Sequence, residues 1–185
     1  MNKYYETSRL ILRTLNDTEG HYSLDYYNAN RDFLAPYEPI RDDSFYQLNH
    51  HNRMTALEQT EMDQHKLLRL WIFLKDGSIQ RPIGNLAFTN IVRGIFLNCF
   101  LGYKLDHRYL NQGYMTEALD KAIKVIFSEY GLHRIEANIM PRNQASLALT
   151  EKLGFYNEGL AKKYLQINGV WEDHIHMVKR NDALE

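Results

Sequence analysis

The stretch LNQGYMTEAL, residues 110–119, decides how the chain is read. Gly113 stands directly ahead of a segment whose apolar positions, Met115, Ala118, Leu119, Ala122, Ile123, Ile126, Phe127 and Tyr130, recur at helical spacing. Gly131 supplies the stop. A loop that becomes a helix at Gly113 leaves the first backbone N–H groups without intrahelical acceptors, at the positive end of the helix dipole. Such a start suits an anion, for instance a pyrophosphate, although ordinary helices begin in the same way.

Working outward, IFLNCFLGYKL (residues 95–105) reads as a strand that feeds this loop. Before it, LLRLWIFLKDGS (67–78) and PIGNLAFTNIV (82–92) read as two strands joined across Asp76-Gly77. RLILRTLN (9–16) is the first strand, and Asp17 is placed to cap a helix carrying Tyr22, Tyr26 and Tyr27. FLAPYEPIRDD (33–43) holds two of the four prolines and reads as a loop, and residues 44–66 read as a polar helix. Downstream, HRIEANIM (133–140) is a strand, and Asn143 caps a short helix ending at Gly154. YLQINGVWEDHIHM (164–177) closes as a hairpin on an Asn168-Gly169 type I′ turn. Strand–helix–strand crossovers require parallel pairing, whereas the hairpins require antiparallel pairing. The expected fold is α/β (α+β mixed), a single domain over residues 1–185 with a central mixed sheet of about seven strands and helices on both faces.

Apolar residues make up 44% and charged residues 24% of the 185, an ordinary globular composition. No apolar run has the length of a membrane span and no secretory leader opens the chain, so a cytoplasmic protein without membrane contact is expected. One cysteine, Cys99, excludes an internal disulfide and a cysteine-built metal cage. A net charge of −1 argues against a broad grip on nucleic acid. His174 and His176 lie two apart on a strand and His50-His51 lies in the polar helix; without a third ligand nearby they read as solvated surface, and no metal is expected.

The ordered series LGYKLDHRYLNQGYMTEAL, GLHRIEANIMPRNQASLALTEKLGF and INGVWEDH resembles the GCN5-related N-acetyltransferase (GNAT) superfamily, and within it the ribosomal-protein-alanine N-acetyltransferase branch. The likeness is strong over residues 101–176, and NRDFLAPYEPIRDDSF and NLAFTNIVRGIF upstream are also similar to this branch. The resemblance implies transfer of an acetyl group from acetyl-CoA to a primary amine by direct attack. The implied acceptor is the N-terminal α-amine of a ribosomal protein; a small amine such as a polyamine or antibiotic is the alternative. A CoA-binding protein without chemistry is the rival from another class. The protein would act as a monomer or homodimer.

The family's acyl-CoA loop has Gln or Arg, two variable residues, Gly, one variable residue, then Gly or Ala. Here the six positions are Leu110, Asn111, Gln112, Gly113, Tyr114 and Met115, and only the central glycine is retained. Main-chain N–H donors do the binding, so the other side chains are tolerable. The resemblance therefore assigns the CoA pyrophosphate to the backbone of Asn111, Gln112, Gly113, Tyr114, Met115 and Thr116. Tyr103 and Leu105, from the strand leading into the loop, are counted with the cofactor-binding residues. Asn143 is an N-cap by type, and the matching family asparagine also bonds the pantetheine arm. Ser146 either decorates a helical turn or, as proposed for the ribosomal branch, protonates the leaving thiolate. The tyrosine that many relatives place seven residues after the asparagine is Thr150 here.

A general base is harder to place. The two positions where relatives carry a glutamate hold Phe100 and Leu101, and Tyr164 and Leu165. A two-residue turn at Asn168-Gly169 sets Ile167 against Val170, Gln166 against Trp171 and Tyr164 against Asp173. Asp173 would then lie on the face of Trp171, Ile175 and Met177, either as a desolvated proton acceptor or merely holding Tyr164 or a backbone N–H. Glu38, in the loop bordering the acceptor site of the family, is the other candidate, or else an exposed loop acid.

Overall fold

The computed structural model describes residues 3–185. An eight-stranded sheet forms its middle, in the order β1-β2-β3-β4-β5-β6-β8-β7. β3 (Leu68–Leu74) shows why helices cover both faces of this sheet. Its sequence LRLWIFL is apolar at both parities, so neither face tolerates water. Leu68, Leu70, Ile72 and Leu74 join Leu10 and Leu12 of β2 (Leu10–Arg13) in one buried cluster. α4 (Tyr114–Ser128) completes that cluster with Ala118, Leu119, Ala122, Ile123 and Ile126. On the opposite face Trp71 and Phe73 pack with Tyr26 and Tyr27 of α1 (Gly20–Ala29), Leu34 of α2 (Arg31–Leu34) and Phe45. α3 (Leu48–Asp63) lies beside α1.

β4 (Gly84–Val92) and β5 (Asn98–Leu105) continue the antiparallel run from β3. β5 then pairs in parallel with β6 (Arg134–Ile139), because α4 carries the chain back across the sheet. α5 (Gln144–Lys152) follows, and β7 (Tyr156–Ile167) and β8 (Val170–Arg180) close the chain, β8 pairing with β6. Cys99 is buried in this core, and burial pushes its thiol up to about 12, which leaves it unreactive at neutral pH.

Four expectations need correction. The sheet has eight strands rather than about seven, because a hairpin partner, β1 (Tyr4–Glu6), pairs along β2. Its three residues carry no alternation long enough to read. Asp17 does not cap α1: Glu19 stands at the N-cap and the helix begins at Gly20. There the missing side chain lets α1 approach α3, since a β-carbon on Gly20 would lie 2.6 Å from the Asn52 main-chain nitrogen. Within the loop at residues 33–43, α2 ends and a 3-10 turn, Ala35–Tyr37, follows it. His51 is fully buried rather than solvated, its Nδ1 2.7 Å from Ser23 Oγ.

Two consequences of the α1–α3 contact are measurable. Gly20→Ala should destabilise the fold by about 1–3 kcal/mol through overpacking against main chain; a melting temperature matching the parent's would refute that packing. Burial pushes the His51 imidazole down to about 4 from its usual 6.5. Between those values the unfolded chain binds a proton that the folded chain refuses, so stability falls as pH drops through this window. Replacing His51 with Gln should flatten the fall in melting temperature between about pH 6.5 and 4, and an unchanged slope would assign it to other groups.

Candidate active site

The parallel pairing of β5 with β6 stops after three rungs, Asn98 with Arg134, Cys99 with Ile135 and Phe100 with Glu136. Beyond Phe100 the two strands part. A cavity of about 590 Å³ fills the opening, walled by Leu101 to Leu105 on one side and Ala137 to Met140 on the other. Main-chain groups facing this gap have no ladder partner across it, so they are free for a ligand.

One end of the cavity lies under the start of α4. Asn111 and Gly113 both take positive φ, 58° and 79°, which turns the loop sharply into the helix. Gly113 sits at the N-cap with no side chain to close off the first N–H groups, unlike Asn143, whose Oδ1 accepts from Ser146 N at the start of α5. The loop is anchored at its base by buried Asp106, which pairs with Arg81 at 2.8 Å and Arg108 at 2.7 Å. From β2's approach, Arg9 donates to the Gln112 carbonyl at 3.0 Å, pairs with Glu117 at 2.7 Å and lies over the Tyr114 ring. Asn111, Gly113, Tyr114, Met115 and Thr116 line the cavity, as do Tyr103, Leu105 and Asn143. Gln112 does not: its side chain turns back to donate to the Arg108 carbonyl.

Ser146 reaches the same end from the first turn of α5, and its Oγ lies 2.5 Å from the Tyr103 hydroxyl. Burial pushes the Tyr103 phenol up to about 12, partly offset by the bond to Ser146, so it stays protonated at neutral pH. The Tyr103 hydroxyl also reaches the Ser146 carbonyl at 3.3 Å; when it donates to Ser146 Oγ, the serine proton is left to point into the cavity. Thr150 plays no part there, because its hydroxyl is spent on the carbonyls of Ser146 and Leu147. The phenol beside Ser146 in the cavity belongs to Tyr103 of β5.

The other end opens toward α2, the turn that follows it and the closing hairpin. Glu38 is buried, not an exposed loop acid, and its carboxylate pairs with Lys104 of β5 and with Arg41 at 3.6 Å. The hairpin turn docks on the same residue, Asn168 N donating to the Glu38 carbonyl at 2.8 Å. Arg142 ties the mouth together by bonding the Pro36 carbonyl and the Glu172 carboxylate. His174 of β8 lines this end and is buried, which corrects the surface reading of that histidine. Sequence alternation alone does not reveal whether the cavity covers that side of β8.

Asp173 is where the hairpin register misleads. The pairs Ile167–Val170 and Gln166–Trp171 form, but a bulge between Leu165 and Ala161 sets three β7 residues against one of β8. Tyr164 therefore does not face Asp173. Lys163, at φ 48°, donates its backbone N–H to the Asp173 carboxylate at 2.8 Å, and Asp173 lies outside the cavity. No set of three potential metal ligands gathers among the described residues.

Residues 9–156 match the model of the acetyltransferase (GNAT) domain. The chain is 40% identical over 171 residues to the [ribosomal protein uS5]-alanine N-acetyltransferase of Escherichia coli K12, covering 91% of this chain and 86% of that one. The crystal structure of the ribosomal-protein-S5-alanine acetyltransferase from Vibrio fischeri superposes with a TM-score of 0.93 at 32% identity, over 99% of both chains. Mycobacterium smegmatis RimJ, in complex with CoA-disulfide, superposes at 0.87 with 27% identity, over 95% of this chain and 83% of that one.

Proposed function

The chain belongs to the GNAT acetyltransferase family, and on that premise we propose that it moves the acetyl group of acetyl-CoA to the N-terminal α-amine of a ribosomal protein. The observation that carries the proposal is a cavity lined from both faces of the parted sheet, with an uncapped helix start at one end and a buried carboxylate at the other. The name of the Escherichia coli relative supplies the acceptor, a ribosomal protein with N-terminal alanine. A ribosomal acceptor of this kind favours work in the cytoplasm; no helix among the described residues is long and apolar enough to cross a membrane. The whole chain acts as one domain in this reading.

The N–H groups from Asn111 to Thr116 hold the pyrophosphate, Gln112 contributing main chain only. Asn143 and the open edges of β5 and β6 receive the pantetheine amides, which directs the thioester toward Ser146. The acceptor nitrogen enters past Tyr37 and Glu38, whose carboxylate is already matched by Lys104 and Arg41. As the nitrogen attacks the thioester carbonyl and the C–S bond breaks, the Ser146–Tyr103 hydroxyl pair delivers a proton to sulfur. No covalent enzyme intermediate is needed.

The cofactor site is tested at Gly113. Valine is a poor fit at φ 79°, whereas asparagine tolerates that conformation. Calorimetry should show acetyl-CoA binding weakened sharply in Gly113→Val and much less in Gly113→Asn; equal parent-like affinity in a folded Val variant would remove the loop from the site. At the sulfur end, Ser146→Ala should lower kcat with little change in acetyl-CoA affinity, because charge develops on sulfur only as the bond breaks. A kcat within about twofold of the parent's would leave thiolate protonation to solvent. Turnover measured with peptides carrying the N-terminal residues of uS5, beside polyamines and aminoglycosides, tests the acceptor: faster turnover of the small amines would overturn the protein-substrate reading.

A further inference from the structure

We infer that His174 accepts the proton released by the acceptor amine, an assignment that rests on the acetyl-transfer reading above. His174 is 2% exposed and lines the acceptor end of the cavity. Its Nδ1 lies 3.0 Å from the Glu172 carbonyl oxygen. A carbonyl oxygen only accepts, so Nδ1 carries the hydrogen of the neutral ring and Nε2 keeps a lone pair. The hydrogen bond that the His174 ring makes among the described residues runs through Nδ1, which leaves Nε2 unspent. A ring fixed in one tautomer, with its basic nitrogen unspent beside a reaction cavity, has the geometry of a general base.

The neighbouring charges are already matched. Glu38, across the cavity, is held by Lys104 and Arg41, so its carboxylate shapes the field rather than offering a free lone pair to a proton. The Glu172 carboxylate turns to Arg142 at 3.1 Å, and Asp173 is bound to Lys163 N. On the other side the Tyr164 ring stands 5.9 Å from the His174 ring, and beyond it His176 pairs with Glu136 at 2.7 Å. Tyr37 lines the cavity on the α2 side.

In the reaction the entering ammonium gives one proton to Nε2, which returns it to solvent after turnover. The freed nitrogen pair forms the C–N bond, the C–S pair leaves with sulfur, and sulfur takes its proton from the Ser146–Tyr103 pair. The acylated nitrogen then loses its second proton through solvent, restoring that pair. One proton in total is released per amide formed.

The experiment compares pH profiles of kcat/KM for the parent, His174→Asn and His176→Asn, using acetyl-CoA and a peptide with the uS5 N-terminus. Asparagine retains a donor near the Nδ1 position and lacks Nε2. His174→Asn should lose about 100-fold or more at pH 7, with acetyl-CoA affinity kept and the acidic limb flattened. His176→Asn should keep that limb. The amine's own ionisation is common to every profile and cancels in the comparison. If the Asn variant does not fold, His174→Gln serves in its place. A His174 variant whose acidic limb overlays the parent's, with or without a lower melting temperature, overturns the assignment, as does loss of the limb in His176→Asn. Failure of the parent to turn over any amine refutes the acetyl-transfer reading itself, and is seen before any variant is compared.

Discussion

Two neighbouring strands that must separate halfway along their length set the terms for the rest of this molecule. β5 and β6 share only three rungs, and past Phe100 the hydrogen bonds between them cease. Such a gap survives because each strand is held from its outer side. β4 pairs with β5 out to Leu105, and β8 pairs with β6 out to Ile139. The antiparallel ladders fix the walls, so the opening needs no ligand to keep its shape. The loop leaving β5 then has one short path to α4, and it delivers the start of that helix over the gap.

The two faces of the sheet supply different chemistry to the same opening. The α4–α5 face is apolar around Ser146 and Tyr103, and its polar side chains there are uncharged. The α1–α3 face holds charges in matched sets. Glu58 pairs with Arg69 at 2.5 Å, Arg69 bonds Asn85, and Lys104 joins Glu38 to the Tyr27 hydroxyl. Burial raises the Glu58 carboxyl even against the pull of Arg69, a sign of how dry this layer is. Removing one member would strand its partner in that layer, which costs more than the pair contributes. In the proposed reaction a sulfur leaving group and an ammonium would meet across this one sheet.

Much of this was legible in the sequence wherever a local period or turn dictates geometry. The α4 stripe is buried at Met115, Ala118, Leu119, Ala122, Ile123 and Ile126, as its spacing requires. The Asn168-Gly169 turn forms with both residues at positive φ. What escaped was non-local. β1 is too short to carry a pattern, and its pairing depends on β2 being there to receive it. Tyr103 and Ser146 are far apart in the chain and meet only because β5 and α5 flank the gap. The Asp173 register failed at a bulge, since alternation counted back from a turn holds only while the ladder is regular. The burial of Glu38, in a loop, and of His174, on a strand, comes from tertiary cover that a local pattern does not show.

That bulged strand has a further consequence, for the company the protein keeps in solution. β7 is twelve residues long and forms one margin of the sheet, with much of its length exposed. A flat strand of that length is a template on which a second chain can extend the sheet. Here the ladder slips twice, between Asn157 and Leu160 and again between Ala161 and Leu165, with Gly159 at φ 132° and Lys163 at φ 48°. Each slip twists the margin and throws the row of free N–H and C=O groups out of step with any regular partner. The irregularity that misplaces Asp173 in a sequence reading is thus a safeguard against strand addition. It lets a site that needs an open hairpin at its mouth sit at the border of a large sheet without inviting fibrous association.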